Sequence, residues 1–153
     1  LRARLPELVI SADVMVGFPT ETEDQYADTE QMIRDLNIAF PHTFSYSERS
    51  GTPAARIPSE RQVAVAQRKE RNLRLRTAAK PLQEALQLSK LGQTAYVLPE
   101  KASKIEGYTL CRAEDYLAVL VLSADVVAGR WQAVRYLSVV DGHLVAERLE
   151  LSV

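Results

Sequence analysis

The pattern of the sequence changes at Gly92, and that change limits what the chain can fold into. Before it, apolar residues come first in one long run and then at helical spacing; after it, they come in short runs separated by turn residues. Leu8 to Val16 is mostly apolar and β-branched, the pattern of a strand covered on both faces in a parallel α/β sheet. It stops at Gly17-Phe18-Pro19, and a helix is predicted next. Thr20 with Glu23 and Thr22 with Gln25 both have capping-box spacing, acidic residues crowd the first turn, and Tyr26, Thr29, Ile33 and Leu36 share one face. Ile38 to Tyr46 reads as a second strand, which completes a βαβ unit.

Ser47 to Pro58 is polar, with Gly51, Pro53 and Pro58, and reads as an ordered loop. Pro58-Ser59-x-x-Gln62 has the form of a helix start with Ser59 as N-cap. A long helix to about Thr77 is expected, then a break or kink at Pro81 before an apolar stretch to Leu88. Beyond Gly92, Thr94–Leu98, Tyr108–Arg112, Tyr116–Leu122, Trp131–Val140 and His143–Leu151 read as five short strands. Asp141-Gly142 between two apolar runs signals a hairpin. The expectation is an α/β part, residues 1–90, followed by an all-β part, residues 91–153, built as a small five-stranded antiparallel barrel or sandwich.

Charge is uneven. Residues 1–50 sum to −5, residues 51–90 to +6 and residues 91–153 to −2. The basic block holds Arg68, Lys69, Arg71, Arg74, Arg76 and Lys80. Such a stretch can attract a polyanion, or it can be solvated or dock on the acidic block of the same chain. Among 153 residues there is one cysteine, Cys111, so no intramolecular disulfide and no multi-cysteine metal or iron–sulfur site can come from this chain alone. No run approaches the roughly 18 apolar residues of a membrane span, and Leu1 to Pro6 has no signal-peptide pattern, so a reducing, cytoplasmic setting is expected. The chain begins at Leu1 rather than Met, as a piece of a longer protein would.

Ser11-Ala12-Asp13-Val14-Met15-Val16-Gly17-Phe18-Pro19-Thr20-Glu21-Thr22 resembles a barrel segment of the radical S-adenosylmethionine (SAM) methylthiotransferases, T/A-D-V-I-V-G-F-P-G-E-T in family form. About 20 residues on, His42-Thr43-Phe44-Ser45-Tyr46-Ser47-Glu48-Arg49-Ser50-Gly51-Thr52-Pro53-Ala54-Ala55 resembles the family's H-V-F-x-Y-S-x-R-x-G-T-x-A-A. The basic helix and the β-part follow in family order, the latter resembling a TRAM domain, an OB-like barrel. The resemblance implies the last strands of a partial (β/α) TIM-like barrel, then a TRAM domain that holds RNA. It implies SAM and two [4Fe-4S] clusters as cofactors, tRNA as partner, and methylthio transfer to a modified adenosine. The second motif looks most like the branch acting on threonylcarbamoyladenosine. The competing branches act on isopentenyladenosine in tRNA or on a ribosomal protein, and a stand-alone RNA-binding module is the reading from another class. The cluster loop, C-x3-C-x2-C in the family, is not in this chain, so the clusters are expected to be ligated outside it and the piece alone to be inactive.

The carboxyl ends of parallel barrel strands are where ligands sit. By resemblance, Met15 and Gly17 line the adenine side of the SAM site, with Tyr46 and Ser47 at the end of the second strand and Arg49 in the loop beyond. Each has a plainer reading: Met15 and Tyr46 as core, Gly17 as a turn, Arg49 in an ion pair with Glu48 or Glu60. Glu21 reads as a support for the neighbouring loop through backbone N–H bonds. Thr20 stands where the family usually has glycine, which argues against a positive-φ turn there. For RNA, Lys101, Lys104, Tyr108 and Arg112 are the candidates, since a small barrel needs cations for phosphate and aromatic faces for bases. Trp131 and Cys111 read as core, and His42 and His143 as ordinary core or surface histidines. No catalytic or metal-ligating residue is assigned. A partial barrel leaves a strand edge bare, so self-association near the first strand is expected.

Overall fold

In the computed structural model, which describes residues 3–6 and 8–149, the first apolar run forms strand β1, Ser11–Val16. Helix α1, Glu23–Asp35, connects it to β2, Phe40–Ser45, and the two strands pair in parallel with Val16 opposite Ser45. Of the two capping-box spacings, Thr22 with Gln25 is the one used: the Gln25 N–H donates to the Thr22 hydroxyl at 3.2 Å and the Thr22 N–H to the Gln25 side chain at 3.0 Å. Asn37, at φ +47°, closes the helix in the left-handed region, and the Ile38 N–H reaches back to the Ile33 carbonyl at 2.9 Å.

Val14, Val16, Tyr26, Ile33, Ile38 and Leu75 make the core of this part, with Ile10, Ala12 and Leu82 packed against it. Ser11, Asp13 and Met15 alternate with the buried residues and are exposed. The expectation of a strand covered on both faces is therefore corrected. Ser11 and Asp13 belong to a two-residue alternation inside the apolar run, and only the helix side of β1 is covered among the described residues. The partial-barrel reading finds one βαβ unit here.

Ser59–Arg61 is a single 3₁₀ turn, and Ser59 caps no helix. The Gln62 side chain instead donates to the carbonyls of Ala54 at 3.3 Å and Ile57 at 3.0 Å, which ties the loop together. Helix α2 starts at Val65 and runs unbroken through Pro81 to Lys90. Proline deletes one backbone bond and crowds the preceding turn, a cost of about 3 kcal/mol. Buried residues before it (Leu75, Ala78, Ala79) and after it (Gln87, Lys90) hold the helix together across that site. The described chain divides into two compact units between Gln83 and Glu84, within α2.

The second unit is a closed five-stranded barrel of β3 (Thr94–Ala102), β4 (Tyr108–Ala113), β5 (Ala118–Leu122), β6 (Gln132–Val140) and β7 (His143–Arg148), in the order β3-β4-β5-β7-β6. Leu151, the expected end of the last strand, lies outside the described residues. Four seams are antiparallel as expected, but β5 pairs with β7 in parallel, because closing five strands in this order brings two of the same direction together. The register slips at Pro99/Lys101, where proline has no N–H for the ladder. Asp141 and Gly142, at φ +48° and +72°, form the tight turn their sequence signalled. Val97, Cys111, Leu117, Val119, Leu120, Val134 and Leu144 are all buried in this unit.

Two predictions follow from these backbones. Thr20 keeps a φ of +74°, with its N–H bonded to the Arg61 carbonyl at 2.9 Å, so the positive-φ turn survives at a β-branched residue. Left-handed backbone costs about 1–2 kcal/mol there and glycine's extra unfolded freedom about 0.5–1 kcal/mol. Thr20→Gly is expected to stabilise the chain by about 0.5–1 kcal/mol in urea unfolding; a loss of stability contradicts the strain. β1 and β2 form a two-stranded sheet, so their outer edges have no strand partner among the described residues. Sedimentation is expected to show concentration-dependent association, and a clean monomer at high concentration contradicts it.

Candidate functional site

The carboxyl ends of β1 and β2 lie side by side, joined by the Tyr46 N–H to the Val16 carbonyl at 2.9 Å. Gly17 follows β1 at φ +72°, and its N–H donates to the Glu21 carboxylate at 2.7 Å. Glu21 is thus the loop support its position in the sequence suggested. A Cβ on Gly17 would lie 2.4 Å from Cγ of Arg68, so the close approach this glycine permits is to α2 of the same chain. Arg68 donates to the carbonyls of Val63 at 2.7 Å and Tyr46 at 3.2 Å and to the Gln62 side chain at 3.3 Å. Its guanidinium sits 5.0 Å from the centre of the Tyr46 ring. Tyr46 is buried, meets Phe18 edge-on at 5.4 Å, and has a buried hydroxyl with no hydrogen-bond partner among the described residues.

Met15 is not core: it is 54% exposed, on the sheet face away from the helices, directly opposite Phe44, which is 53% exposed. Asp13 and His42 form the next pair on that face, and both are exposed. Ser47 and Arg49 are exposed beyond β2. The Arg49 carbonyl accepts from the Thr52 hydroxyl at 2.8 Å, and no ion pair joins its side chain to Glu48 or Glu60. The five candidates therefore sort into a packed pair, Gly17 and Tyr46, and an accessible set, Met15, Ser47 and Arg49.

Arg71 is the residue that sequence reasoning left inside an anonymous basic stretch. It is 1% exposed; Nη1 donates to the Glu21 carboxylate at 2.5 Å and to the Glu21 carbonyl at 3.2 Å, while Nη2 reaches the Glu23 carboxylate at 3.1 Å. Arg74 bonds the other Glu23 oxygen at 2.6 Å and lies 4.6 Å from the centre of the Tyr26 ring. The Arg74 hydrogen bond, with Arg71 behind it, holds the Glu23 carboxyl below the usual carboxylate range. The Tyr26 hydroxyl lies 3.1 Å from the Arg71 carbonyl, and burial pushes its pKa up to about 12. Acidic residues 48–51 positions before the arginines they hold were the only signal of this cluster in the sequence.

On the barrel, Lys101 at the end of β3 and Lys104 in the following loop line a cavity of about 380 Å³. Tyr108 begins β4, half-buried, and is not among the cavity's lining residues. Arg112 is occupied: it holds Glu100 through two bonds of 3.0 Å and donates to the Tyr116 carbonyl at 3.1 Å. Trp131, expected in the core, is 54% exposed, and Tyr96 is 46% exposed. Tyr96 pairs with Ala133 across β3 and β6, which sets Trp131 and Arg135 diagonally either side of it. Cys111 is fully buried, and burial raises its thiol to about 11, so it is the small core residue expected. Among the described residues no group of His, Cys, Asp and Glu could hold a metal ion, and no helix is long and apolar enough to cross a membrane.

No family model matches the chain. It is similar to the tRNA-2-methylthio-N(6)-dimethylallyladenosine synthase of Erythrobacter litoralis (strain HTCC2594), 35% identical over 97% of this chain and 33% of the relative. The proteins of the same name from Ruegeria sp. (strain TM1040) and Ruegeria pomeroyi (strain ATCC 700808 / DSM 15171 / DSS-3) are 32% identical over 98% of this chain and 34% identical over 88%, covering 33% and 30% of those relatives. The chain spans about a third of the length of these relatives. Their names carry dimethylallyladenosine, which does not support the threonylcarbamoyladenosine branch favoured by the second motif. The structure gives the physical reason. That motif is largely scaffold: the Thr43 carbonyl accepts from Asn72, the Ser45 hydroxyl donates to the Arg68 carbonyl, and Thr52 closes a turn, so it carries little information about a substrate.

Arg71→Met strips the partner from the nearly buried Glu21 carboxylate and is expected to cost about 3–5 kcal/mol in urea unfolding. Arg112→Met, which breaks an exposed pair, is expected to cost at most about 1 kcal/mol. Equal costs contradict the division between the two arginines.

Proposed function

We propose that this chain is part of a radical SAM enzyme that adds a methylthio group to N6-dimethylallyladenosine in tRNA, with the βαβ unit lining the SAM site and the barrel holding the RNA. Similarity along almost the whole chain to three synthases of that nucleoside carries this reading. The resembling motifs lie at the carboxyl ends of β1 and β2, where parallel strands bind ligands.

The residues present do not fit an iron–sulfur cluster. The lone cysteine is sealed in the barrel as a thiol of raised pKa, whereas cluster ligation takes three thiolates, so no step is assigned to a cluster here. They do fit SAM. Met15 and Phe44 present adjoining apolar surface for a flat base, and Arg49 presents an exposed guanidinium for a carboxylate. When bound, SAM would supply the methyl group and, once reduced by one electron, the radical chemistry. Gly17 and Tyr46 act from behind: packed on Arg68, they fix the two strand ends on which Met15 and Arg49 are carried. A cytoplasmic setting goes with a tRNA substrate.

Deletion of the gene is expected to remove the methylthio form from hydrolysed tRNA, read by mass spectrometry, while N6-dimethylallyladenosine accumulates. Loss of a threonylcarbamoyladenosine derivative instead contradicts the branch. An unchanged nucleoside profile contradicts the enzyme and leaves a binding module.

A further inference from the structure

Several cations of this chain are spent inside the fold. Arg68, Arg71, Arg74 and Arg112 each hold carbonyls or carboxylates. Lys101 and Lys104 differ: neither has an ion pair among the described residues, and both line one concavity of about 380 Å³. Its wall is apolar at Ala102, Ile105 and Leu110, and Asp141 and His143 of the β6–β7 hairpin complete it.

The parts of this cavity are fixed in place. Ser103 accepts the Ile105 N–H on its hydroxyl at 3.1 Å, which shapes the loop between β3 and β4. The Gln87 side chain donates to the Gly142 carbonyl at 2.6 Å and holds the hairpin turn. The Nδ1 of His143 donates to the Asp141 carbonyl oxygen at 2.9 Å, which holds the ring in place. The volume falls in the usual range for small-ligand pockets, about 300–1,000 Å³. Two ammonium groups suit a phosphate, an apolar wall with an imidazole suits the face of a base, and the Asp141 carboxylate accepts a hydroxyl or amino donor while turning away a bare second anion.

We propose that this cavity receives one unstacked nucleotide of the bound RNA, its phosphate on Lys101 and Lys104 and its base against Ile105, Leu110 and His143. The assignment rests on the RNA-holding role given to the barrel above.

The test uses the 153-residue chain and a hairpin RNA with an unpaired loop, followed by fluorescence anisotropy over a range of salt. The double variant Lys101→Ala/Lys104→Ala is expected to bind at least about tenfold more weakly, with the slope of log K against log salt reduced by about 1.4 for two single-strand phosphate contacts. His143→Ala is expected to weaken binding several-fold, and Arg112→Ala to leave it unchanged. Circular dichroism matching the parent confirms that each variant is folded. Parent-like affinity and slope in the double variant overturn the assignment, as does loss of binding on Tyr96→Ala or Trp131→Ala with the lysine variant unaffected, which puts the RNA on the β3–β6 face. If the parent chain binds no RNA, the RNA-holding role itself falls.

Discussion

Arg71 is the contact on which the first unit depends. A guanidinium taken out of water needs its donors satisfied, and Glu21, Glu23 and the Glu21 carbonyl supply the acceptors. The same Glu21 carboxylate accepts the Gly17 N–H, so one ion pair links α2 to the turn after β1. One helical turn away, Arg68 fills the space Gly17 leaves and bonds the Tyr46 carbonyl after β2. The two strand ends are therefore set by two arginines of α2. A side chain at Gly17 would break that arrangement by collision with Arg68 as much as through its positive φ.

This arrangement divides the basic residues by task. The stretch from Arg68 to Lys80 looks in the sequence like a surface for a polyanion, yet its best-placed members are consumed within the fold. The second unit is slightly acidic in sum, but its charge is not evenly placed. Arg112 is neutralised by Glu100, while Lys101 and Lys104 share a cavity without a carboxylate bound to either. Net charge is thus a poor guide to where a phosphate would sit, and local pairing a better one.

Much of the fold was legible because it is written in local chemistry. Thr22 and Gln25 specify a helix start by two reciprocal bonds, and Asp141-Gly142 specifies a turn because both positions tolerate positive φ. The five strands of the barrel show in their spacing. What was not legible depends on partners distant in sequence. Only the folded chain shows that Ser11, Asp13 and Met15 face away from the helices, that β5 meets β7 in parallel, or that α2 continues through Pro81. For the site, strand-end placement was readable, whereas the exposure of Trp131 and the role of Arg71 were not. The names of the relatives do not support the branch that the second motif suggested, and much of that motif serves as scaffold.

The central claim is that Arg68, Arg71 and Arg74 of α2 serve the fold while Lys101 and Lys104 of the barrel face the RNA. Amide hydrogen exchange of the chain with and without a tRNA anticodon hairpin tests it most directly. The account predicts slowed exchange at residues 101–110 and 141–143 and no change along residues 68–76. Protection along residues 68–76 with none at the barrel loops would contradict it.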